Sequence, residues 1–227
     1  MSMFALFDLD DTLHDKSKSL RASAHAMHTA FLSHHDVTIE AFVATFVSEN
    51  NIIQPKAKVF KTLANHYGFD VHLESAMLDF FDTQFHTFSK CFDQVEQTLN
   101  FLKEEKVRLA CITNGRDFFQ RNKLDALGLT QYFDLILTSG EFGVKKPDPI
   151  IFKHALEQLN ADAKDCVFIG DSLSSDMAPA KALGMTTVWT KLSKQALPTK
   201  SDNVDYVLES YSDFESIWQQ LMLKPHV

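Results

Sequence analysis

Aspartates crowd the stretch that follows the first apolar segment of the chain. The run FALF at residues 4–7 leads directly into Asp8, Asp10 and Asp11, and Asp15 follows closely. A buried carboxylate costs several kcal/mol unless it pairs with a cation or takes up a proton. An apolar segment suited to burial therefore predicts that these acids meet compensating positive charge where the segment ends.

Three further polar clusters follow later apolar segments in the same way. They are Thr113-Asn114-Gly115, Lys145-Lys146-Pro147, and Gly170-Asp171-Ser172 with Asp176. If the segments are strands of one parallel sheet, all four clusters can meet at one edge of that sheet. Carboxylate oxygens suit Mg²⁺, and a metal with a lysine and backbone N–H groups forms a receptor for phosphate.

The elements that must position these clusters alternate along the chain from residue 93 onward. Helix-like periodic segments separate strand candidates at 107–112, 133–137, 166–169, 186–190 and 206–208. Asp93 with Glu96 resembles a capping box at the start of the first of these helices. Alternation of this kind predicts a Rossmann-like, doubly wound parallel sheet with helices on both faces, which is an α/β fold.

Residues 16–90 have a different character. Apolar residues recur there at helical spacing, as in Leu20, Ala24, Met27 and Phe31, and no strong strand pattern is present. The segment has seven Lys/Arg and seven Asp/Glu, so the rest of the chain carries the whole net charge of −8. We therefore predict an α/β core of residues 1–15 and 91–227 with a helical insertion of residues 16–90.

Composition narrows the classes of partner. The apolar fraction of 45% and the charged fraction of 23% are ordinary for a globular domain. A net charge of −8 argues against binding to a nucleic-acid backbone, and no segment approaches the roughly 20 apolar residues of a membrane helix. The N-terminus lacks a signal-peptide pattern, and the three widely spaced cysteines suit reduced thiols. We expect a cytoplasmic monomer or homodimer without nucleic-acid or membrane partners.

Four motifs in order carry a family resemblance. DLDDT (8–12), TNG (113–115), KKP (145–147) and GDSLSSD (170–176) resemble the motifs of haloacid dehalogenase-superfamily phosphatases. The chain is similar to members with a helical, C1-type cap inserted after the first motif, and it looks closest to the pyrimidine nucleotidase-like branch. The resemblance implies Mg²⁺-dependent hydrolysis of a small phosphorylated metabolite, with a nucleoside 5′-monophosphate as the preferred substrate.

The resemblance also implies roles for the first pair of acids. Asp8 would be the nucleophile that forms an aspartyl-phosphate. Asp10 would be the general acid for the leaving group and then the base that activates water. Residues two apart share one face of a regular strand, whereas a turn at the strand end could aim these two at opposite sides of a phosphoryl group.

The remaining motif residues would bind the metal and the phosphate. Mg²⁺ would be held by Asp8, the backbone carbonyl of Asp10 and Asp171. The resemblance also implies that the phosphoryl oxygens would be bound by Thr113, the backbone N–H of Asn114 and Lys146. Lys146 would also neutralise charge on Asp8. Asp176 would support Lys146 or a metal-bound water from outside the ligand set, or would simply begin a helix.

Several nearby residues have weaker assignments. His14 is a candidate for lining a hinge to the cap. Arg21 and Arg116 are candidates for contacting a substrate anion, although each equally fits a surface charge. Lys145 is expected at the surface, and Asp11 has no assigned role.

Three other activities compete with the phosphatase hypothesis. A haloacid dehalogenase also uses an aspartate nucleophile, but that branch lacks an acid at the position of Asp10. A phosphomutase keeps all four motifs, so the sequence leaves it open. A receiver-like, non-enzymatic phospho-acceptor shares the acids and the lysine, but it needs neither the insertion of residues 16–90 nor an acid at Asp10.

Overall fold

A parallel sheet forms the centre of the computed structural model, which describes residues 3–192 and 201–223. Its strands are β1 (Phe4–Phe7), β2 (Arg108–Thr113), β3 (Leu135–Thr138), β4 (Cys166–Gly170), β5 (Thr186–Thr190) and β6 (Tyr206–Leu208). They lie in the order β3-β2-β1-β4-β5-β6, and all the pairings are parallel. The predicted α/β fold with a Rossmann-like parallel sheet is confirmed.

Helices connect these strands and also build the segment between β1 and β2. They are α1 (Lys16–Met27), α2 (Ile39–Asn51), α3 (Lys56–Tyr67), α4 (Val71–Gln84), α5 (Val95–Glu104), α6 (Asp117–Ala126), α7 (Ser139–Phe142), α8 (Pro149–Leu159), α9 (Ala178–Ala182) and α10 (Phe214–Leu223). Among the described residues, no helix has both the length and the apolar character needed to cross a membrane.

The middle strand β1 is apolar on both faces because both faces of the sheet are covered. Leu6 packs in a core with Phe168 and residues of α8 and α9, whereas Phe7 packs in a second core with Phe214 and residues of α5. All of these side chains are essentially inaccessible to solvent. Burial on both faces explains why the strand reads as a continuous apolar run.

Helix ends follow the sequence signals in one case and depart from them in another. Helix α3 ends at Tyr67 and is capped by Gly68, whose φ of 72° gives the left-handed conformation that suits glycine. The capping box predicted from Asp93 and Glu96 is wrong. Helix α5 is preceded by Gln94 in a left-handed conformation (φ 66°) with no side-chain cap, so its first residue is Val95. The helix thus begins one residue later than the capping box predicts, after the left-handed turn at Gln94.

The chain divides into two compact units, Met1–Asp15 with Cys91–Val227, and Lys16–Lys90. The helical unit has an aromatic core of its own. The ring centroids of Phe46, Phe60 and Phe81 lie 5.8 to 6.0 Å from one another, and all three rings are buried. Aromatic pairs at this separation add stabilisation beyond their buried area.

A buried hydroxyl ties the C-terminal part of the α/β unit to the loop after β1. The Tyr211 hydroxyl donates a hydrogen bond of 3.1 Å to the carbonyl of Thr12. We predict that Tyr211→Phe lowers the free energy of unfolding by about 1 kcal/mol, because the buried carbonyl loses its donor. Urea unfolding measures this, and an unchanged midpoint would contradict it.

Candidate active site

The chain reverses direction immediately after β1, and this turn separates the two leading acids. Strand β1 ends at Phe7, and the Asp8 N–H still donates to the carbonyl of Ile169 at 2.9 Å. Asp11 adopts a left-handed conformation (φ 60°), and its N–H bonds the carbonyl of His14 at 2.9 Å. Asp8 and Asp10 therefore contact different sets of side chains instead of sharing one strand face.

Lys146 is the cation that contacts Asp8. Its Nζ donates to Asp8 Oδ1 at 2.6 Å and to the Ile112 carbonyl at 2.7 Å. It also forms an ion pair with Asp176 Oδ1 at 2.7 Å. Lys146 is 3% exposed and Asp176 is 1% exposed, so this pairing is shielded from water. Lys145 next to it is exposed.

Side chains from neighbouring strand ends hold this cluster in place. The Asn114 side chain accepts from the Lys146 N–H and donates to the Lys146 carbonyl, each at 2.9 Å. The Trp189 indole N–H donates to the Asp171 carbonyl at 2.7 Å. Gly170 leaves room for Asp176, because a Cβ there would lie 2.6 Å from Asp176 Oδ2.

The cluster holds more negative charge than its lysine can compensate. Carboxylate oxygens of Asp8, Asp171 and Asp176 lie within 4.8 Å of one another. Burial raises the pKa of Asp8 to about 7 although the charge of Lys146 opposes this rise. Burial, and then the charge of Asp8, raises the pKa of Asp171 to about 8. A set of oxygen ligands with uncompensated charge fits a divalent metal ion.

The pKa of Asp10 is shifted in the opposite direction from that of Asp8. Its Oδ1 accepts from Lys123 Nζ at 2.5 Å and from His14 Nδ1 at 2.7 Å, and its Oδ2 lies 3.3 Å from Gln120 Nε2. Burial alone would raise the pKa of Asp10, but the charge of Lys123 and the His14 hydrogen bond hold it well below its ordinary value. Asp10 is therefore ionised in this arrangement, which is the form that accepts a proton.

Helix α6 supplies two side chains to the site that the sequence analysis missed. Gln120 Nε2 donates to Thr113 Oγ1 at 2.6 Å and lies 3.0 Å from the Asn114 carbonyl, while Lys123 pairs with Asp10. The sequence does indicate that these two side chains are buried, because Gln120 and Lys123 lie on the helix face that also carries the buried Leu124. Polar residues on a core-facing stripe indicate a buried polar partner.

The residues with weaker assignments lie in different parts of the structure. His14 is fully buried, its Nδ1 donates to Asp10, and its backbone pairs with Cys91. Arg116 is exposed, and its guanidinium lies 5.0 Å from the Phe119 ring centroid. Arg21 is an exposed residue of α1 in the helical unit, and Asp11 forms the turn after β1.

The family is shown by comparison with known proteins. The sequence pattern of the haloacid dehalogenase-like hydrolase family matches residues 5–190. The chain is 31% identical over 230 residues to the glyceraldehyde 3-phosphate phosphatase of Methanocaldococcus jannaschii. The aligned region covers 95% of this chain and 96% of that enzyme. It is also 31% identical over 216 residues to the ribulose-1,5-bisphosphate 5-phosphatase of Halopiger xanaduensis, covering 88% and 90% of the two chains.

Solved structures of family members have the same fold as this chain. A phosphatase of the same superfamily from Thermococcus onnurineus superposes with a TM-score of 0.63 at 23% identity, covering 96% of this chain and 98% of that one. A family hydrolase from Deinococcus radiodurans gives a TM-score of 0.70 at 22% identity, covering 98% and 97%. The chain belongs to the haloacid dehalogenase-like hydrolase family and has its fold.

We predict that Lys146→Met destabilises the metal-free protein in a pH-dependent way. Removing the cation leaves buried carboxylates unpaired, which costs about 3 kcal/mol once they are ionised. The charge of Lys146 opposes the rise of the Asp8 pKa to about 7, so its removal raises this pKa further. The loss should therefore be small near pH 5.5, where Asp8 is protonated in both proteins, and should grow as the pH rises above about 7. Urea unfolding at both pH values measures the difference.

Lys181→Met is the matched control, because Lys181 pairs with Asp205 at a site far more open to solvent. Its loss should stay below about 1 kcal/mol at either pH. Equal losses from the two variants would contradict the role of Lys146 as the cation compensating the buried acids.

Proposed function

We propose that the chain is a Mg²⁺-dependent phosphatase that hydrolyses the phosphomonoester of a small metabolite through an aspartyl-phosphate on Asp8. The observation that carries this proposal is the buried cluster of Asp8, Asp171 and Asp176 around Lys146 at the end of the middle strand. The family assignment and the phosphatase names of the relatives support it. The free cysteines favour a cytoplasmic location.

The metal would be held by Asp8, Asp171 and the backbone carbonyl of Asp10. Asp176 would act through its ion pair with Lys146 and its contact with the Ser172 N–H at 3.1 Å. A bound Mg²⁺ supplies positive charge opposite the transferring phosphoryl group and the carboxylate that attacks it. The uncompensated charge of the acid cluster supports this assignment.

In the first step a carboxylate oxygen of Asp8 bonds to phosphorus and the ester bond to the leaving oxygen breaks. Lys146 neutralises charge on Asp8, and Thr113 with the Asn114 backbone N–H binds phosphoryl oxygens. In the second step water attacks the phosphorus and Asp10 takes its proton. The bond to Asp8 then breaks and inorganic phosphate is released. The low pKa of Asp10 keeps it in the ionised form that accepts a proton in the second step, whereas protonating an alkoxide in the first step requires that Asp10 first gain a proton.

The substrate class is inferred from the relatives. They include phosphatases named for glyceraldehyde 3-phosphate, ribulose 1,5-bisphosphate and phosphoglycolate, which are small and non-aromatic. A nucleoside 5′-monophosphate is the second candidate, supported by the similarity of the motif segments to the nucleotidase-like branch. Phe42, Phe46, Phe60 and Phe81 are buried in the helical unit, so they are not available for stacking on a base. The role of residues 16–90 as a specificity cap stays a prediction.

A substrate panel decides between these classes and the competing activities. It should contain three-carbon phosphates, pentose phosphates, phosphoglycolate, nucleoside monophosphates and p-nitrophenyl phosphate, with Mg²⁺ or with EDTA. Release of inorganic phosphate separates a phosphatase from a mutase, and 2-chloropropionate tests for dehalogenation. No phosphate release from any ester would end the proposal, and equal turnover in EDTA would end its metal component.

Two substitutions test the assignment of the acids. We predict that Asp8→Asn abolishes turnover, because no carboxylate remains to attack phosphorus. Asp10→Asn should still be phosphorylated by p-nitrophenyl phosphate, whose leaving group needs little protonation, and should then release phosphate slowly. Rapid-quench measurement of phosphoenzyme separates these outcomes. Normal turnover by Asp8→Asn would show that the nucleophile is misassigned.

Metal binding should stabilise the fold more at high pH than at low pH. The pKa values of Asp8 and Asp171, about 7 and about 8, lie above the ordinary value of 3.8, so the metal-free fold loses stability as the pH rises through them. Mg²⁺ binds the ionised carboxylates and removes this penalty. The rise in thermal midpoint on adding Mg²⁺ should therefore be larger near pH 8.5 than near pH 5.5.

Asp171→Asn should abolish most of this Mg²⁺-dependent rise in the midpoint. A rise that is equal at both pH values, or that survives Asp171→Asn, would place the metal elsewhere. Thermal unfolding with and without EDTA gives the measurement without reference to activity.

A further inference from the structure

Helix α6 directs two buried polar side chains at Asp10. Gln120 and Lys123 are one helical turn apart, and each is only 2% exposed. Burying a lysine is costly, so its position requires a partner, and the Nζ of Lys123 lies 2.5 Å from Asp10 Oδ1. Apolar residues of similar size commonly stabilise such a position at least as well as a buried ion pair. Fold stability alone therefore does not account for this lysine.

The contacts on Asp10 distinguish its two carboxylate oxygens. Oδ1 accepts from both Lys123 and His14, at 2.5 and 2.7 Å. Within residues 3–192 and 201–223, Oδ2 is contacted only by Gln120, at the longer distance of 3.3 Å. One oxygen is thus tied on two sides, which fixes the plane of the carboxylate, and the other keeps capacity to accept a proton.

Gln120 also connects Asp10 to the phosphate-binding motif. Its Nε2 lies 2.6 Å from Thr113 Oγ1 and 3.0 Å from the Asn114 carbonyl. A Cβ at Gly115 would lie 2.8 Å from Gln120 Cδ, so the glycine leaves the space that this side chain occupies. The single amide therefore links the orientation of Asp10 to the group that would hold the phosphoryl oxygens.

We propose that Lys123 and Gln120 are positioning residues that hold Asp10 Oδ1 and direct Oδ2 at the water that hydrolyses the aspartyl-phosphate. The inference rests on the proposed function and deepens it. In this step the water oxygen bonds to phosphorus, one water proton passes to Asp10 Oδ2, and the phosphorus–oxygen bond to Asp8 breaks. Inorganic phosphate leaves, and the Asp8 carboxylate is restored. An Asp10 that is free to rotate would reach the productive geometry less often, which slows this step.

Lys123→Met tests the proposal with p-nitrophenyl phosphate as the substrate. Its good leaving group makes the first step insensitive to Asp10, so kcat/KM should change less than about 3-fold, while kcat falls about 100-fold because the second step is slowed. KM should fall with kcat, and a burst of p-nitrophenolate equal to the enzyme concentration should precede slow turnover. A variant that is merely misfolded would lose kcat/KM and show a smaller burst.

Three further variants make the result specific. Lys123→Arg keeps a cationic donor and should recover part of kcat. Arg121→Met is the matched control on the same helix, since Arg121 forms its ion pairs with Asp117 and Glu141 rather than with Asp10. Its kcat and burst should match the unaltered enzyme. Adding Lys123→Met to Asp10→Asn should cost nothing further, because Lys123 acts through Asp10.

The outcomes separate the two proposals. If the unaltered enzyme releases no phosphate, the proposed function fails and this inference fails with it. If the unaltered enzyme is active and Asp8→Asn is inactive, the proposed function stands. Parallel losses of kcat and kcat/KM in Lys123→Met, or additive losses in the double variant, would then overturn the positioning role alone.

Discussion

Negative charge buried at the end of the middle strand is the constraint on which the rest of the α/β unit depends. Asp8 and Asp176 share one cation, Lys146, at 2.6 and 2.7 Å, and Asp171 lies beside them. Burial raises the pKa of Asp8 to about 7, and the charge of Asp176 adds to this rise while that of Lys146 opposes it. A fold that buries such a cluster must hold its lysine rigidly and keep a place for more positive charge, because a displaced cation leaves unpaired charge in an apolar core.

The topology of the sheet meets this constraint. Strands β2 and β4 flank β1 in register, with Phe7 opposite Cys111 and Ile169, so three loops begin at the same edge. The loop after β2 carries Asn114, whose side chain bonds both backbone groups of Lys146. Residues far apart in sequence thus converge because parallel strands present their carboxyl ends together. The apolar cores on both faces stabilise the strands, and the strand ends position the polar groups.

The sequence predicts the fold more completely than it predicts the contacts. Apolar strand segments and the polar clusters after them indicate the parallel sheet, and the family motifs lead to Asp8 and Lys146. Gln120 and Lys123 were missed because a helical stripe shows which face is buried but not which distant carboxylate it meets. The capping box at Asp93 was wrong for a related reason, since a short pattern does not report the backbone conformation of the residue that follows it.

His14 is another residue whose contact the sequence did not predict. Its place close to the first motif suggested a hinge, and its backbone pairs with Cys91, the first residue after the helical unit. The motif did not indicate its contact with Asp10, which depends on the left-handed turn at Asp11. Asp11 itself adopts the left-handed backbone conformation that forms this turn. Non-glycine residues adopt this conformation uncommonly, and aspartate tolerates it better than most. The acid without an assigned chemical role therefore contributes to the geometry of its two neighbours.

This turn explains how two carboxylates of the same type, two residues apart, acquire different chemistry. Asp8 has a raised pKa through burial among other acids, and Asp10 has a pKa held well below its ordinary value by Lys123 and His14. Environments that push the pKa values of neighbouring acids apart are how one site assigns them separate roles. On the proposed mechanism, Asp8 and Asp171 would hold a divalent metal whose charge would favour the ionised form of Asp8, which is the form that attacks phosphorus. The second acid is already ionised and oriented by its own cation, so it can accept a proton as soon as water reaches the intermediate. The turn after β1 keeps the carboxylate partners of the two lysines apart, and on the proposed mechanism the lysines would serve different steps for this reason.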